Sequence, residues 1–198
     1  MSAVTIRLSS RASVRGKALD AAIRDAEGIL DTFSALLRVA QIESGMRRGG
    51  FASVDLSGLL AELIEAYQPV AEERAQTLTG TIEPNLHVQG DRELPAQLFA
   101  NLIENAIRHA PVGATVAVEA ALRSGRSVIA AVRDNGPGIP LELRSKVLQR
   151  FYPLEESRTT PGSGLGLSLV AAITSLHEAR LELVDNRPGL ACMLSFPA

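Results

Sequence analysis

The order of strand-like and helix-like segments after residue 50 is the strongest constraint on how this chain can fold. Apolar residues at helical spacing predict helices over 59–73, 93–109, 141–151 and 165–176. Short alternating or β-branched stretches predict strands over 54–56, 77–82, 86–89, 115–120, 127–133, 180–184 and 190–196. The two kinds of segment do not alternate regularly, so a doubly wound parallel sheet is not expected. We expect an α+β domain over residues 51–198, in which helices cover one face of a mixed sheet.

The residues before this domain carry a different pattern. Apolar side chains recur at alternating spacings of four and three residues, at Leu19, Ile23, Ala26, Leu30, Phe33, Leu37 and Ala40. This heptad pattern is typical of a helix that packs on another helix, from the same chain or from a second copy. An ordinary amphipathic helix on a globular core is the alternative. Because 47–50 is typical of a linker, we expect a separate helical segment over residues 1–48.

Charge, cysteine usage and the length of apolar runs exclude several classes of protein. The net charge of −2 gives no reason to expect nucleic acid as a partner. Cys192 is the only cysteine and has apolar neighbours, so a buried thiol without a disulfide is predicted. The three histidines, His87, His109 and His177, show no metal-ligand spacing. No apolar run approaches the roughly 18 residues of a membrane span, and no signal peptide is recognised. We expect a cytoplasmic protein, whose parent could be anchored in the inner membrane.

Two asparagines lie on one face of the predicted helix over 93–109. Asn101, Asn105 and Arg108 are spaced i, i+4 and i+7, so their side chains project from the same side of the helix. Asparagine is a mediocre helix former, because its amide competes with backbone hydrogen bonds. An amide oxygen is a suitable ligand for Mg²⁺, and the neighbouring arginine can neutralise phosphate oxygens. A polar stripe that faces water is the alternative interpretation.

A glycine- and proline-rich loop follows the predicted strand over 127–133. Residues 134–140 contain two glycines and two prolines in seven positions, which favours a tight turn. Gly136 and Gly138 leave room for a flat ring against the backbone. Asp134 could accept a hydrogen bond from an exocyclic amine, which would select adenine over guanine. A plain hairpin turn is the alternative.

A second glycine-rich turn, over 162–167, leads directly into a predicted apolar helix. Free backbone N–H groups at such a helix start favour the binding of a polyphosphate. The turn lacks the Gly-Lys-Ser/Thr of a Walker loop, and no clear strand precedes it as in a dinucleotide fingerprint. The preceding segment, 152–161, is typical of a mobile lid, from which Arg158 could reach a terminal phosphate.

In this order, the segments resemble the nucleotide-binding boxes of the two-component sensor histidine kinases. Residues 101–110 resemble the N box, and residues 134–139 resemble the G1 box. Residues 150–152 with 157–159 resemble the F box and lid, and residues 162–167 resemble the G2 box. The resemblance extends over about residues 19–198, and the heptad helix is similar to the second helix of the family's dimerisation hairpin.

The resemblance implies a Bergerat-type ATP-binding fold, in which an α/β sandwich holds Mg²⁺ and ATP. In such a site Asn105 would ligate Mg²⁺ with help from Asn101, and Arg108 would contact phosphate. Asp134 would bind the adenine amine, with His109 or Tyr152 near the adenine or ribose. The full set of ATP-binding residues that it implies is Asn101, Asn105, Arg108, His109, Asp134, Gly136, Gly138, Ile139, Tyr152, Arg158, Thr159, Gly162, Ser163, Gly164, Leu165, Gly166 and Leu167.

The implied function is transfer of the γ-phosphoryl group of ATP to a protein histidine, and from there to a response regulator. In the family, two hairpins associate into a dimeric four-helix bundle. Residues 1–18 contain no histidine, so the acceptor is absent from this chain and we expect a truncated protein that cannot phosphorylate itself. Pro153 also stands where a basic residue is frequent in the family, which would weaken the hold of the lid on phosphate.

Two other functions remain open from the sequence. A pseudokinase or scaffold dimer would bind nucleotide for regulation only, and the missing acceptor favours it. A hydrolytic ATPase of the same superfamily would need an acidic residue at the first N-box position to activate water. Asn101 occupies that position and cannot accept a proton, which disfavours hydrolysis.

Overall fold

The structure is a computed structural model that describes residues 51–123, 127–149, 152 and 165–197, together with Leu37. Leu37 is helical and half exposed, and the rest of the predicted heptad helix lies outside the described residues. The predicted lid over 152–161 also lies outside them, except for Tyr152.

Five strands form one mixed sheet. They are β2 (Thr77–Ile82), β4 (Thr115–Leu122), β5 (Val128–Asp134), β6 (Arg180–Asp185) and β7 (Leu190–Phe196), in the spatial order β2-β4-β5-β7-β6. β2 runs parallel to β4, and the other pairs are antiparallel. Two further strands, β1 (Ala52–Asp55) and β3 (His87–Gly90), make a separate antiparallel pair. The prediction of a mixed sheet in an α+β fold is confirmed.

Three helices cover the sheet: α1 (Leu56–Glu73), α2 (Glu93–His109) and α3 (Gly166–Leu176). α1 begins three residues before its predicted start, because the Asp55 carboxylate accepts a hydrogen bond from the Gly58 backbone N–H at 3.0 Å and caps the helix at Leu56. α2 has the predicted bounds. It lies in the centre of the layer, where it packs against both other helices and against β4 and β5.

The core lies between this helix layer and the sheet. Its largest fully buried side chains include Leu98, Phe99, Leu102 and Ile103 of α2, Val116 of β4, and Leu194 and Phe196 of β7. Cys192 of β7 is buried as a free thiol, as predicted, and burial raises its pKa to about 12. No helix within the described parts of the chain is long and apolar enough to cross a membrane.

The predicted helix over 141–151 is wrong in type. The described residues form a short 3₁₀ helix, Leu141–Leu143, followed by turns to residue 149. Most backbone hydrogen bonds of this segment join residues three apart, such as Lys146 N–H to Leu143 O at 2.9 Å. Val147 is the only fully buried residue over 141–149, so no continuous buried face holds a regular α-helix there.

Candidate functional site

The polar face of α2 is held at the edge of the core. The apolar residues of the helix face the sheet, which leaves Asn101 and Asn105 partly buried at the side turned toward α3. The Asn101 side-chain N–H donates to Gln97 O at 2.8 Å, which turns its Oδ1 away from the helix backbone. An amide oxygen in this orientation can accept a hydrogen bond or ligate a hard cation.

The first residue of α3 lies directly against these two amides. A Cβ atom added at Gly166 would stand 3.1 Å from Asn101 Oδ1 and 3.3 Å from Asn105 Nδ2. Leu165, which precedes the helix, is buried and offers no side chain to cap the N–H groups of the first turn. Its carbonyl accepts from the Ser168 hydroxyl at 2.9 Å, which fixes the start of the helix. The two amides predicted to bind metal therefore lie beside Gly166, which is within the described end of the predicted phosphate turn.

Asp134, the last residue of β5, lies beside the carboxyl end of α2, whereas the two asparagines lie nearer the middle of the helix. Its Oδ1 accepts hydrogen bonds from the backbone N–H groups of Gly136 at 2.8 Å and Leu190 at 3.4 Å. Burial raises the pKa of Asp134, and these hydrogen bonds together with His109 oppose the rise. Both backbone donors reach one carboxylate oxygen, so Oδ2 remains the oxygen that can accept from a ligand.

The turn after Asp134 packs on the carboxyl end of α2. A Cβ atom at Gly136 would stand 2.9 Å from Asp134 Oδ1 and 3.2 Å from the Ala110 Cα atom. The neighbouring His109 is exposed, and its pKa lies below the usual value through partial desolvation and the adjacent Arg108 cation. α2 thus connects the Asp134 side of the site with the asparagines, and along the helix axis Asn105 lies about 6 Å and Asn101 about 12 Å from His109.

Gly138 and Ile139 complete this turn. Gly138 has φ +72°, a left-handed conformation that favours glycine, and a Cβ there would stand 2.8 Å from Gly189 O. Ile139 is buried, and its carbonyl accepts a hydrogen bond from Arg144 Nε at 2.9 Å. The loop after β5 is therefore held by contacts on both sides.

The remaining predicted residues divide into two groups. Arg108 and Leu167 are partly buried on α2 and α3, and Leu167 packs against the core. Tyr152 is partly buried, and none of the hydrogen bonds or ring contacts among the described residues includes it. The predicted phosphate-binding residues of the lid and turn lie outside the described residues: Arg158, Thr159, Gly162, Ser163 and Gly164.

The donor set of the site suits a cation bound jointly by protein amides and phosphate. The described ranges contain no cluster of three or more His, Cys, Asp or Glu side chains that could hold a metal ion. The buried His177 lies elsewhere, stacked on Phe51 with ring centroids 4.8 Å apart. Asn101 and Asn105 are the amide side chains of α2 that lie beside Gly166, and an amide oxygen is of a type that can ligate a hard cation.

Two supporting residues were not predicted from the sequence. Gln76 Nε2 donates to Ile107 O at 3.0 Å and Ala110 O at 2.8 Å, and so binds the last carbonyls of α2. Asn186, in the turn between β6 and β7, donates from Nδ2 to Asp134 O at 2.8 Å. A polar residue in a short turn gives no signal in the sequence that distinguishes such a role from an ordinary turn residue.

Comparison with known proteins agrees with this geometry. The family model described as histidine kinase-, DNA gyrase B-, and HSP90-like ATPase matches residues 90–198. The sensor histidine kinase TmoS of Ectopseudomonas mendocina is 29% identical over 183 residues, which is 91% of this chain and 19% of that protein. The sensor-like histidine kinase SenX3 of Mycobacterium tuberculosis is 32% identical over 168 residues, which is 83% of this chain and 40% of that protein.

Solved structures support the same assignment. The mycobacterial sensor histidine kinase MprB superposes with a TM-score of 0.66 at 26% identity, over 74% of this chain and 97% of that one. The chain spans between about a fifth and two fifths of the length of the curated relatives described above. The chain therefore belongs to the histidine kinase-, DNA gyrase B- and HSP90-like ATPase family, and it carries the ATP-binding catalytic domain of a sensor histidine kinase.

Proposed function

We propose that this chain binds Mg²⁺-ATP and is the catalytic core of a protein-histidine kinase. The observation that carries the proposal is the arrangement of α2. One end of this helix lies beside Asp134, an acceptor suited to the adenine amine, and its middle lies against the start of α3 at Gly166. Adenine at the first position would place the phosphates and their cation at the second.

Each polar group of the site has a distinct role in this proposal. Asn105 ligates Mg²⁺ with Asn101, and Arg108 neutralises phosphate charge. The Asp134 carboxylate accepts a hydrogen bond from the 6-amino group of adenine. The Mg²⁺ ion supplies charge neutralisation on the phosphates when it is bound, and the protein contributes orientation and exclusion of water. The lid residues Arg158 and Thr159, and the 162–166 turn, would contact the outer phosphates.

The contacts of Glu104 favour phosphoryl transfer over hydrolysis. Glu104 is the only carboxylate on α2 near the asparagines, and its Oε1 accepts a hydrogen bond from the Tyr67 hydroxyl of α1 at 2.5 Å. Burial, together with Glu104, raises the pKa of Tyr67, so the phenol stays a donor. This carboxylate is directed toward α1, and Asn101 cannot accept a proton from water. A hydrolytic ATPase has no base here among the described side chains.

The phosphoryl acceptor in this proposal is a histidine outside this domain. His177 is 4% exposed and its Nδ1 is within 2.8 Å of Ile173 O, so it cannot be attacked without unfolding. His109 belongs to the nucleotide site itself. The helical segment over 1–48 would form part of a dimerisation hairpin, and a response regulator would receive the phosphoryl group. In a membrane-anchored parent this domain would lie on the cytoplasmic side.

The test combines the chain with radiolabelled ATP, Mg²⁺ and a separate hairpin that carries an acceptor histidine. We expect acid-labile, alkali-stable label on the hairpin and none on the chain alone. Asn105→Ala should abolish the transfer, while Glu104→Gln should retain it. Nucleotide binding without transfer would instead indicate a pseudokinase. Release of inorganic phosphate in the absence of the hairpin, lost in Glu104→Gln, would indicate a hydrolase.

A further inference from the structure

We propose that Asn186, in the turn between β6 and β7, is a positioning residue that orients Asp134 toward the 6-amino group of adenine. This inference rests on the proposed function, in which Asp134 binds that amine. Asn186 lies more than 50 residues from Asp134 along the chain and belongs to none of the four sequence boxes. It would affect nucleotide selectivity without touching the nucleotide.

The first argument is the hydrogen bonding of Asn186. Its Nδ2 donates to Asp134 O at 2.8 Å, and its Oδ1 accepts from Arg133 Nη1 at 3.4 Å. Its backbone N–H donates to Gly189 O at 3.1 Å, so the side chain is attached to a closed turn. The pairing of β5 with β7 ends at Arg133 and Ala191. Beyond this last strand pair, the side-chain amide of Asn186 replaces the β7 backbone as the hydrogen-bond partner and holds the backbone of Asp134.

The second argument is the close approach of the turn backbone. Gly189 has φ +110°, and a Cβ added there would stand 1.9 Å from Asp134 O and 2.6 Å from its carbonyl carbon. No other residue type fits such a position without displacing the end of β5. Gly189 O in turn lies 2.8 Å from the position of a Cβ at Gly138. The turn is thus in direct contact with both ends of the loop that would bind adenine.

The third argument is the orientation of the Asp134 carboxylate. The N–H of Leu190, which directly follows the turn, donates to Asp134 Oδ1 at 3.4 Å, and the N–H of Gly136 donates to the same oxygen at 2.8 Å. The Asp134 backbone and one carboxylate oxygen are therefore both held from the turn between β6 and β7. Moving this turn would rotate Oδ2, the oxygen left for the adenine amine.

A purely structural role for Asn186 makes a different prediction. If the role were purely structural, replacing Asn186 would lower the stability of the domain and weaken the binding of all purine nucleotides alike. A positioning role acts only through the hydrogen bond between Asp134 and the amine. Purine riboside triphosphate lacks the 6-amino group and keeps the ring, ribose and phosphates, so it separates the two roles.

The experiment measures dissociation constants of Mg²⁺-ATP and Mg²⁺-purine riboside triphosphate by calorimetry for the whole chain and four variants. In Asn186→Ala we expect ATP to bind about fivefold more weakly, which is equivalent to one hydrogen bond. The dissociation constant of the analogue should stay within about twofold of its value for the unmodified chain. Asn186→Ser, an uncharged residue suited to turns, also loses the Nδ2 donor and should give the same selective loss if the alanine variant does not fold. Arg187→Ala, whose exposed side chain lies in the same turn, should change neither constant.

Asp134→Asn separates this inference from the proposed function. The proposed adenine contact requires the variant to lose most of the preference for ATP over the analogue. Suppose that it does, and that the Asn186 variants weaken the binding of both nucleotides equally or of neither. The positioning role is then refuted, and the proposed site stands. If Asp134→Asn keeps the full preference for ATP, the adenine contact itself is refuted, and the positioning role with it.

Discussion

At the scale of single residues, the site depends on polar groups that are partly withdrawn from water and held by the backbone. Asp134 is the clearest case, because burial raises its pKa while backbone N–H groups bind one of its oxygens. A carboxyl group with a raised pKa in the folded state stabilises the fold most when it is protonated. That contribution is lost as the pH rises through its folded pKa. At neutral pH the ionised Asp134 therefore lowers stability, while the proposed function assigns it the adenine contact.

Asp134→Asn should consequently separate stability from affinity. Asparagine can still accept the Gly136 and Leu190 hydrogen bonds through its oxygen, and it removes the buried charge. We expect an unliganded melting temperature at pH 7 at least as high as that of the unmodified chain. ATP affinity should fall at least about tenfold, because a hydrogen bond to a charged group is replaced by two opposed donors. Thermal melts and calorimetry test this, and a large loss of stability with unchanged affinity would contradict it.

At the scale of elements, the contact between α2 and α3 brings the asparagine pair to the start of a second helix. Gly166 makes this approach possible because it has no side chain between the helices. The sequence predicts both α2 and the start of α3 to within one residue, because apolar periodicity and glycines at a helix boundary are local signals. It does not predict that Gly166 lies on Asn101, because that contact depends on how two helices pack over the same sheet.

Gly166→Ala should therefore impair cation-dependent binding more than folding. The added methyl group would stand 3.1 Å from Asn101 Oδ1, so at least one amide must move from the position in which we propose that it ligates the cation. We expect nucleotide affinity in Mg²⁺ to fall about tenfold or more, and affinity in EDTA to change little. Ser175→Ala, at an exposed position of the same helix, is the matched control. Equal losses with and without Mg²⁺ would show that the methyl group disturbs something other than the cation site.

At the scale of the whole molecule, one core joins the helix layer to the sheet. The sequence predicts the α+β class and most strand bounds to within two residues, because each strand has its own alternating pattern. It does not predict the strand order, nor the reach of the β6–β7 turn to Asp134, because both arise from contacts between distant parts of the chain. It also overestimates helix in the described segment 141–149, where too little side-chain surface is buried to hold a regular helix.

The rate at which Cys192 reacts with a thiol reagent should measure how often this core opens. It is 6% exposed in the middle of β7, and its pKa of about 12 leaves almost no thiolate at pH 8. We expect a thiol reagent to modify it only as fast as the sheet opens, with a rate that rises in parallel with unfolding in urea. Saturating Mg²⁺-ADP should slow the reaction, because a ligand of the folded state reduces the open population. Rapid labelling of the folded protein, independent of urea and nucleotide, would contradict this account.

Continuity of α2 has a consequence for ligand length. Because the helix is a single rigid rod, the proposed adenine contact and the proposed cation contact cannot approach each other when a shorter ligand binds. For the proposed ligand, the base, sugar and phosphate chain must together span the fixed distance from Asp134 to the asparagine amides. A monophosphate would occupy the Asp134 end and leave the asparagine amides without an anion-bound cation, whereas a diphosphate or triphosphate could engage both. The domain would thereby discriminate nucleotides by their extent as well as by their base.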